Sequence, residues 1–273
     1  MTGPAVSPAR LQGAPPASPS PFAAPPSFVP RSFVPRSFVA RSSVQAAPHP
    51  SGSLTAQLVV IAKAPVPGRV KTRLTPPFSP RQAARLAEAA LADTLAVAAR
   101  TPAARHVIAL DGAPGRWLPR GFVVTGQRGQ GLDERIAAAI SEAYARLPVP
   151  VVLIGMDTPQ VTPGLLESAL RPLADGTADA VLGPAADGGF WLLGLRRPDP
   201  ALVVGVPMST ARTGAMQLAR LAGAGLRVAR LPCHVDVDSA ADAHAVAEQI
   251  PGSRFAAALR AACSARRRGE HGR

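Results

Sequence analysis

The chain has 273 residues, 47% of them hydrophobic and only 4% aromatic, and a formal net charge of +13. That length and apolar content suffice for one or two domains with a sizeable core of Ala, Val and Leu. The charge lies mostly at the ends: residues 1–53 carry +4 and residues 254–273 carry +5, which leaves +4 for the central 200 residues and argues against nucleic acid as a partner. No apolar run approaches the roughly 20 residues of a membrane helix, and the N-terminus lacks the apolar centre of a secretory signal. Cys233 and Cys263 have neither metal-ligand nor disulfide spacing, so two reduced thiols and a cytoplasmic protein without a membrane partner are expected.

Residues 1–53 are rich in Pro, Ser and Ala and contain the tandem repeat "SFVPR SFVPR SFVAR" from Ser27. Prolines remove backbone donors there, and the apolar residues are too sparse to offset ordering entropy, so the segment reads as a disordered extension. A binding motif of repeated Phe-Val-Pro-Arg is the alternative. Residues 54–252 then alternate strand and helix signals, as an α/β catalytic domain would. Strands read at 57–62, 106–110, 122–126, 151–155, 179–183, 190–195 and 226–231. Ser79, Pro80 and Gln82 form an N-cap, first helical position and capping box for a helix to about Arg100. Further helices read near 132–146, 163–174, 210–223 and 240–250, and residues 253–273 read as a final helix fraying into a basic tail. Near-continuous Val, Ile and Leu in the early strands predicts a mostly parallel sheet covered on both faces, a three-layer α/β/α sandwich.

Ligands of such sheets bind beyond the carboxyl ends of the strands, so the residues after each strand are the ones to read. "KAPVPGRVKTRL" follows the first strand, with Gly68, Arg69, Lys71 and Arg73 on a proline-stiffened loop. The loop has neither the P-loop nor the dinucleotide spacing, but its donors and positive charge suit a phosphate. Solvated surface charge is the plain alternative. Asp157 follows the fourth strand, Asp187, Gly188 and Gly189 follow the fifth, and Asp236 and Asp238 follow the last. Asp236 and Asp238 point the same way on an extended segment. Carboxylate oxygens of this kind suit Mg²⁺ or Mn²⁺ shared with substrate phosphates. An Asx-type turn at Asp157 and a helix start at Ser239 are the alternatives for these acids.

Together "AKAPVPGRVKTRL", "GLDERI", "LIGMDTP", "GPAADGGFWLLGL", "VPMST" and "DVDSAAD", in order over residues 57–248, resemble a bacterial glycosyltransferase family that includes members assigned to arsenosugar biosynthesis. The resemblance implies the glycosyltransferase-A fold, the nucleotide-diphospho-sugar transferase architecture. It implies that Lys63, Gly68, Arg69, Lys71, Arg73 and Arg135 bind the nucleotide diphosphate. Asp157 and Asp238, with Asp236 beside them, would hold a divalent cation, Mg²⁺ or Mn²⁺. Gly188 and Gly189 would line the acceptor side, where missing side chains let a ligand approach the backbone. Ser209 and Thr210 would touch acceptor or cap a helix, with capping the better fit. Asp133 stands where relatives usually have Gly, Met208 where they have Trp and Phe190 where they have Tyr. The first would weaken an anion- or base-contacting turn, and the others would alter acceptor packing.

The expected reaction is metal-assisted glycosyl transfer from a nucleoside-diphosphate sugar to a small acceptor, with Asp187 taking the acceptor proton if the anomeric centre inverts. The same groups would serve a nucleotidyltransferase that releases pyrophosphate, the alternative; a non-enzymatic binding protein ranks below both.

Overall fold

The computed structural model describes the backbone of residues 54–270 and the side chains of residues 54–265. The expected disorder of residues 1–53 and the basic tail beyond residue 265 lie outside the described side chains. Seven strands, β1 (Gln57–Lys63), β2 (Arg105–Asp111), β3 (Phe122–Gly126), β4 (Val151–Ile154), β5 (Ala180–Pro184), β6 (Phe190–Leu195) and β7 (Val228–Arg230), form one sheet in the order β3-β2-β1-β4-β6-β5-β7. Six α-helices stand among the described residues: α1 (Pro80–Arg100), α2 (Leu132–Arg146), α3 (Pro163–Ala174), α4 (Thr213–Gly223), α5 (Ala240–Gln249) and α6 (Arg254–Glu270). None is long and apolar enough to cross a membrane.

Alternate side chains of β1 go to opposite faces, as the pleat requires. Leu58, Val60 and Ala62 meet α1 and α3, whereas Val59 meets α2 on the other face. The three-layer sandwich follows directly. Helix α1 is buried on two sides. Ala84, Ala87, Leu91, Leu95 and Ala98 face the sheet, while Ala83, Leu86 and Ala90 face Phe255 and Leu259 of α6. Its many alanines let both partners come close. The Ser79–Gln82 capping box and Pro80 at the helix start are both present.

The sheet is mostly parallel, but β6 runs antiparallel to β4 and β5. Only the residues from Ala185 to Gly189 join β5 to β6, too few for a parallel crossover, which takes a dozen or more. The remaining strands therefore share one direction, and their carboxyl ends share one edge.

Candidate functional site

A cavity of about 600 Å³ opens at that edge. It lies within the size range of small-molecule sites. Lys63, Arg69, Lys71, Arg73 and Arg135 line it together with Asp157, Asp236, Asp238 and Ser209. Pairing of β1 with β4 sets the basic loop beside Asp157. The backbone N–H of Val237 donates to the Asp157 carbonyl at 3.1 Å, which ties the segment after β7 to the same place. Val237 is buried in the core, so its neighbours Asp236 and Asp238 face the cavity, as period-2 alternation demands.

The cations and carboxylates neutralise one another. Lys71 Nζ lies 2.8 Å from Asp157 Oδ2 and 3.1 Å from Asp238 Oδ1, with its side chain only 9% exposed. Arg73 Nη1 lies 3.0 Å from Asp238 Oδ2. Burial pulls the Lys71 ammonium down, but the charges of Asp157 and Asp238 outweigh it and leave the pKa above its ordinary value. Asp236 takes no such partner. Its Oδ1 is buried with no hydrogen bond, and burial, followed by the charges of Asp157 and Asp187, raises its carboxyl to about 8.

Backbone strain gathers at the same place. Lys71 (φ 48°) and Ser209 (φ 58°) are the two non-glycine residues with positive φ among the described residues, and both line the cavity. Such conformations cost on the order of 1–3 kcal/mol each and persist where surrounding contacts over-determine them.

Other expected site residues fall outside the cavity lining. Gly68, at φ 77°, gives the basic loop its left-handed turn but does not line the cavity. Asp187, Gly188 and Gly189 form the tip of the β5–β6 hairpin, also outside the cavity lining. Asp187 is exposed, and its Oδ1 accepts from Gly189 N at 2.8 Å. The space beside the Gly188 backbone is filled by the residues before α4. A Cβ on Gly188 would fall on the carbonyl oxygen of Ala211, and Gly188 O accepts from Gly214 N at 2.8 Å. The glycines let the hairpin tip dock against the start of α4.

Ser209 and Thr210 do not cap α4, whose N-cap is Arg212. Thr213 Oγ1 accepts from Thr210 N at 3.1 Å and donates to Pro207 O at 2.8 Å, holding the loop before the helix. Asp133 lies in the first turn of α2. Its Oδ2 accepts from Gly205 N at 2.8 Å, and that bond lowers its pKa. Arg135 Nη1 sits 3.1 Å from Asp111 Oδ2 at the end of β2. Gln127, just after β3, also lines the cavity and donates through Nε2 to Ala62 O at 2.8 Å and Ala109 O at 3.0 Å. Asp111 and Gln127 were missed, although reading the ends of β2 and β3 as closely as the others would have reached them. Phe190 lines the cavity, whereas Met208 packs against the core on the α2 side.

The family described as "Uncharacterized protein conserved in bacteria (DUF2064)" matches residues 83–210. That span holds Asp157 and the hairpin tip but neither the basic loop nor Asp236 and Asp238. No curated protein matches the chain. The fold is that of the nucleotide-diphospho-sugar transferases. A solved structure described as a "putative nucleotide-diphospho-sugar transferase" from Desulfovibrio desulfuricans G20 is 29% identical over 76% of this chain and 94% of its own, with a TM-score of 0.70. Rv0371c from Mycobacterium tuberculosis H37Rv is 22% identical over 72% of this chain and 98% of its own, with a TM-score of 0.45. The 2-C-methyl-D-erythritol 4-phosphate cytidylyltransferase of Thermus thermophilus is 17% identical over 77% of this chain and 98% of its own, with a TM-score of 0.43. Neither of these two weaker likenesses bears on the activity.

Proposed function

We propose that the protein transfers a glycosyl group from a nucleoside-diphosphate sugar to a small hydroxylated acceptor with the help of Mg²⁺ or Mn²⁺. The observation that carries this reading is the meeting of a basic loop and three carboxylates in one cavity at the carboxyl edge of the sheet. The likeness to the Desulfovibrio protein supports it.

The donor set suits a hard divalent cation. Asp157, Asp236 and Asp238 offer only carboxylate oxygen, and the buried Asp236 Oδ1 lacks any partner. As they stand, these side chains are not a ready-made cage: among the described residues no three His, Cys, Asp or Glu form a group able to hold a metal. Lys71 also stands among them, its ammonium bound to Asp157 and Asp238. Asp157, Asp238 and Asp236 are the residues that would hold the cation, and its chemistry there would be to offset charge on the departing diphosphate.

The chain's own groups do the rest. Lys63, Arg69, Arg73 and Arg135 line the wall that would bind the diphosphate, and Arg is suited to grip phosphate oxygens bidentately. Gly68 shapes their loop. Asp187, oriented by Gly189 N on Oδ1, keeps Oδ2 to take a proton from an acceptor hydroxyl if the reaction inverts the anomeric centre. Gly188 and Gly189 hold that hairpin tip in place, and Ser209 would meet the acceptor from the cavity wall.

Incubation of the protein with panels of nucleoside-diphosphate sugars and nucleoside triphosphates, each with Mn²⁺ or Mg²⁺, tests the reading. Release of a nucleoside diphosphate is expected. Release of pyrophosphate from a triphosphate would replace the proposal with nucleotidyl transfer.

A further inference from the structure

Of the 30 lysines and arginines in the chain, only two are lysines, Lys63 and Lys71, and both line the cavity. Everywhere else the chain uses arginine. The two cations differ in ways that matter at this spot. A guanidinium is a rigid planar fork, whereas an ammonium is a compact point charge with three donors on a flexible four-carbon stem. Lys71 uses that compactness. Its ammonium fits between Asp157 Oδ2 and Asp238 Oδ1, at 2.8 Å and 3.1 Å, from a backbone held at φ 48°. Arg73, with its side chain 71% exposed, reaches Asp238 at Oδ2.

This geometry creates a conflict if the carboxylates are read as the seat of a divalent cation, the reading on which the following inference rests. Lys71 engages Asp157 Oδ2 and Asp238 Oδ1, so ammonium and cation compete for these carboxylates. Asp236, with its buried partnerless oxygen, stands ready to add a third ligand once the competition is resolved. We propose that Lys71 is the exchangeable counter-ion of the carboxylate cluster: a divalent cation displaces its ammonium from Asp157 and Asp238, and the released side chain turns to the donor's diphosphate. Cation binding and donor binding are thereby linked through one side chain. Asp157 and Asp238 thus keep a cationic partner both before and after the exchange.

The scarcity of lysine makes the exchange directly readable. Acetylation of the full chain with an amine-reactive ester, followed by peptide mass spectrometry, reports Lys71 against the exposed Lys63 in the same sample. Without divalent cation, Lys71 reacts at least about tenfold more slowly than Lys63, because a reactive amine must be freed from both carboxylates. Saturating Mg²⁺ raises the Lys71 rate severalfold and leaves Lys63 unchanged; adding inorganic pyrophosphate with Mg²⁺ slows Lys71 again. In parallel, Mn²⁺ affinity is measured by electron paramagnetic resonance for the wild type and for Lys71→Met. The variant binds at least about tenfold more tightly, the factor that about 1.4 kcal/mol of removed competition produces.

Mn²⁺ binding to the wild type with Lys71 still protected would overturn the exchange while leaving the cation site intact. Equal or weaker Mn²⁺ binding by Lys71→Met would also overturn it. Failure of both proteins to bind Mn²⁺ would remove the cation reading itself and the exchange with it.

Discussion

Replacing Gly188 with Ala separates two roles for the hairpin tip beside the site. Gly188 has φ 88°, a conformation that L side chains rarely adopt, and its added Cβ would fall on the Ala211 carbonyl oxygen. That atom is backbone, so a rotamer change cannot relieve the overlap. The strained dihedral costs on the order of 1–3 kcal/mol. Displacing the tip also weakens the Gly214 N to Gly188 O bond of 2.8 Å, a net loss of about 1 kcal/mol. The total, about 2–4 kcal/mol, corresponds to a fall in Tm of roughly 4–16 °C, since each kcal/mol shifts Tm by about 2–4 °C in a chain of this size. Thermal unfolding of the ligand-free protein, followed by circular dichroism, is the assay. If the glycine serves the approach of a ligand instead, ligand-free Tm stays within about 1 °C of wild type and only binding suffers. That outcome would refute the packing role. The expected fall in Tm comes with loss of activity, because Asp187 and the start of α4 move with the tip.

Three further outcomes test other parts of the structure. Asp93 of α1 accepts from Phe255 N at 2.8 Å, so Asp93→Ala strands a buried donor at the start of α6 and lowers Tm by roughly 4–8 °C, from a loss of about 2 kcal/mol; an unchanged Tm would show that Ser253, whose Oγ accepts from Ala256 N at 3.0 Å, alone suffices as a cap. Asp157→Asn and Asp238→Asn each lower transfer by more than about 100-fold, beyond the 10–100-fold typical of losing an outer partner of a metal; full activity in either variant would end its assignment as a cation ligand. Arg227 bonds hold the Asp179 carboxyl down to about 2, against an ordinary 3.8. A lowered folded-state pKa contributes stability above the ordinary value that is lost as pH falls. The wild-type urea midpoint should therefore drop more steeply between pH 4 and pH 2, as order-of-magnitude bounds, than that of Asp179→Asn; parallel profiles would contradict the ion pair.

The elements themselves were largely legible in the chain. Ser79, Pro80 and Gln82 announce α1 because capping is a local matter of a few adjacent groups. Ser239 announces α5 with its own capping box, closed by Asp242. Where the local pattern fell short, the deciding contacts were ones it does not show, some a few residues away and one far along the chain. Ser209 and Thr210 look like caps, yet Thr213, reaching back to Pro207 and Thr210, delays the helix. Asp133 looks like a disturbance in its turn, yet Gly205, 72 residues on, supplies it with a donor.

By itself the sequence determined which residues stand at the carboxyl ends of strands, since alternation, apolar runs and turn residues are local properties. It thereby named the charged groups that line the cavity. Only the tertiary structure decided how those groups face one another. The β1–β4 pairing and the backbone bond from Val237 to Asp157 bring Lys71 to carboxylates 86 and 167 residues away. An ammonium chooses between phosphate and carboxylate by distances of a few ångströms, and such distances exist only once the sheet has assembled.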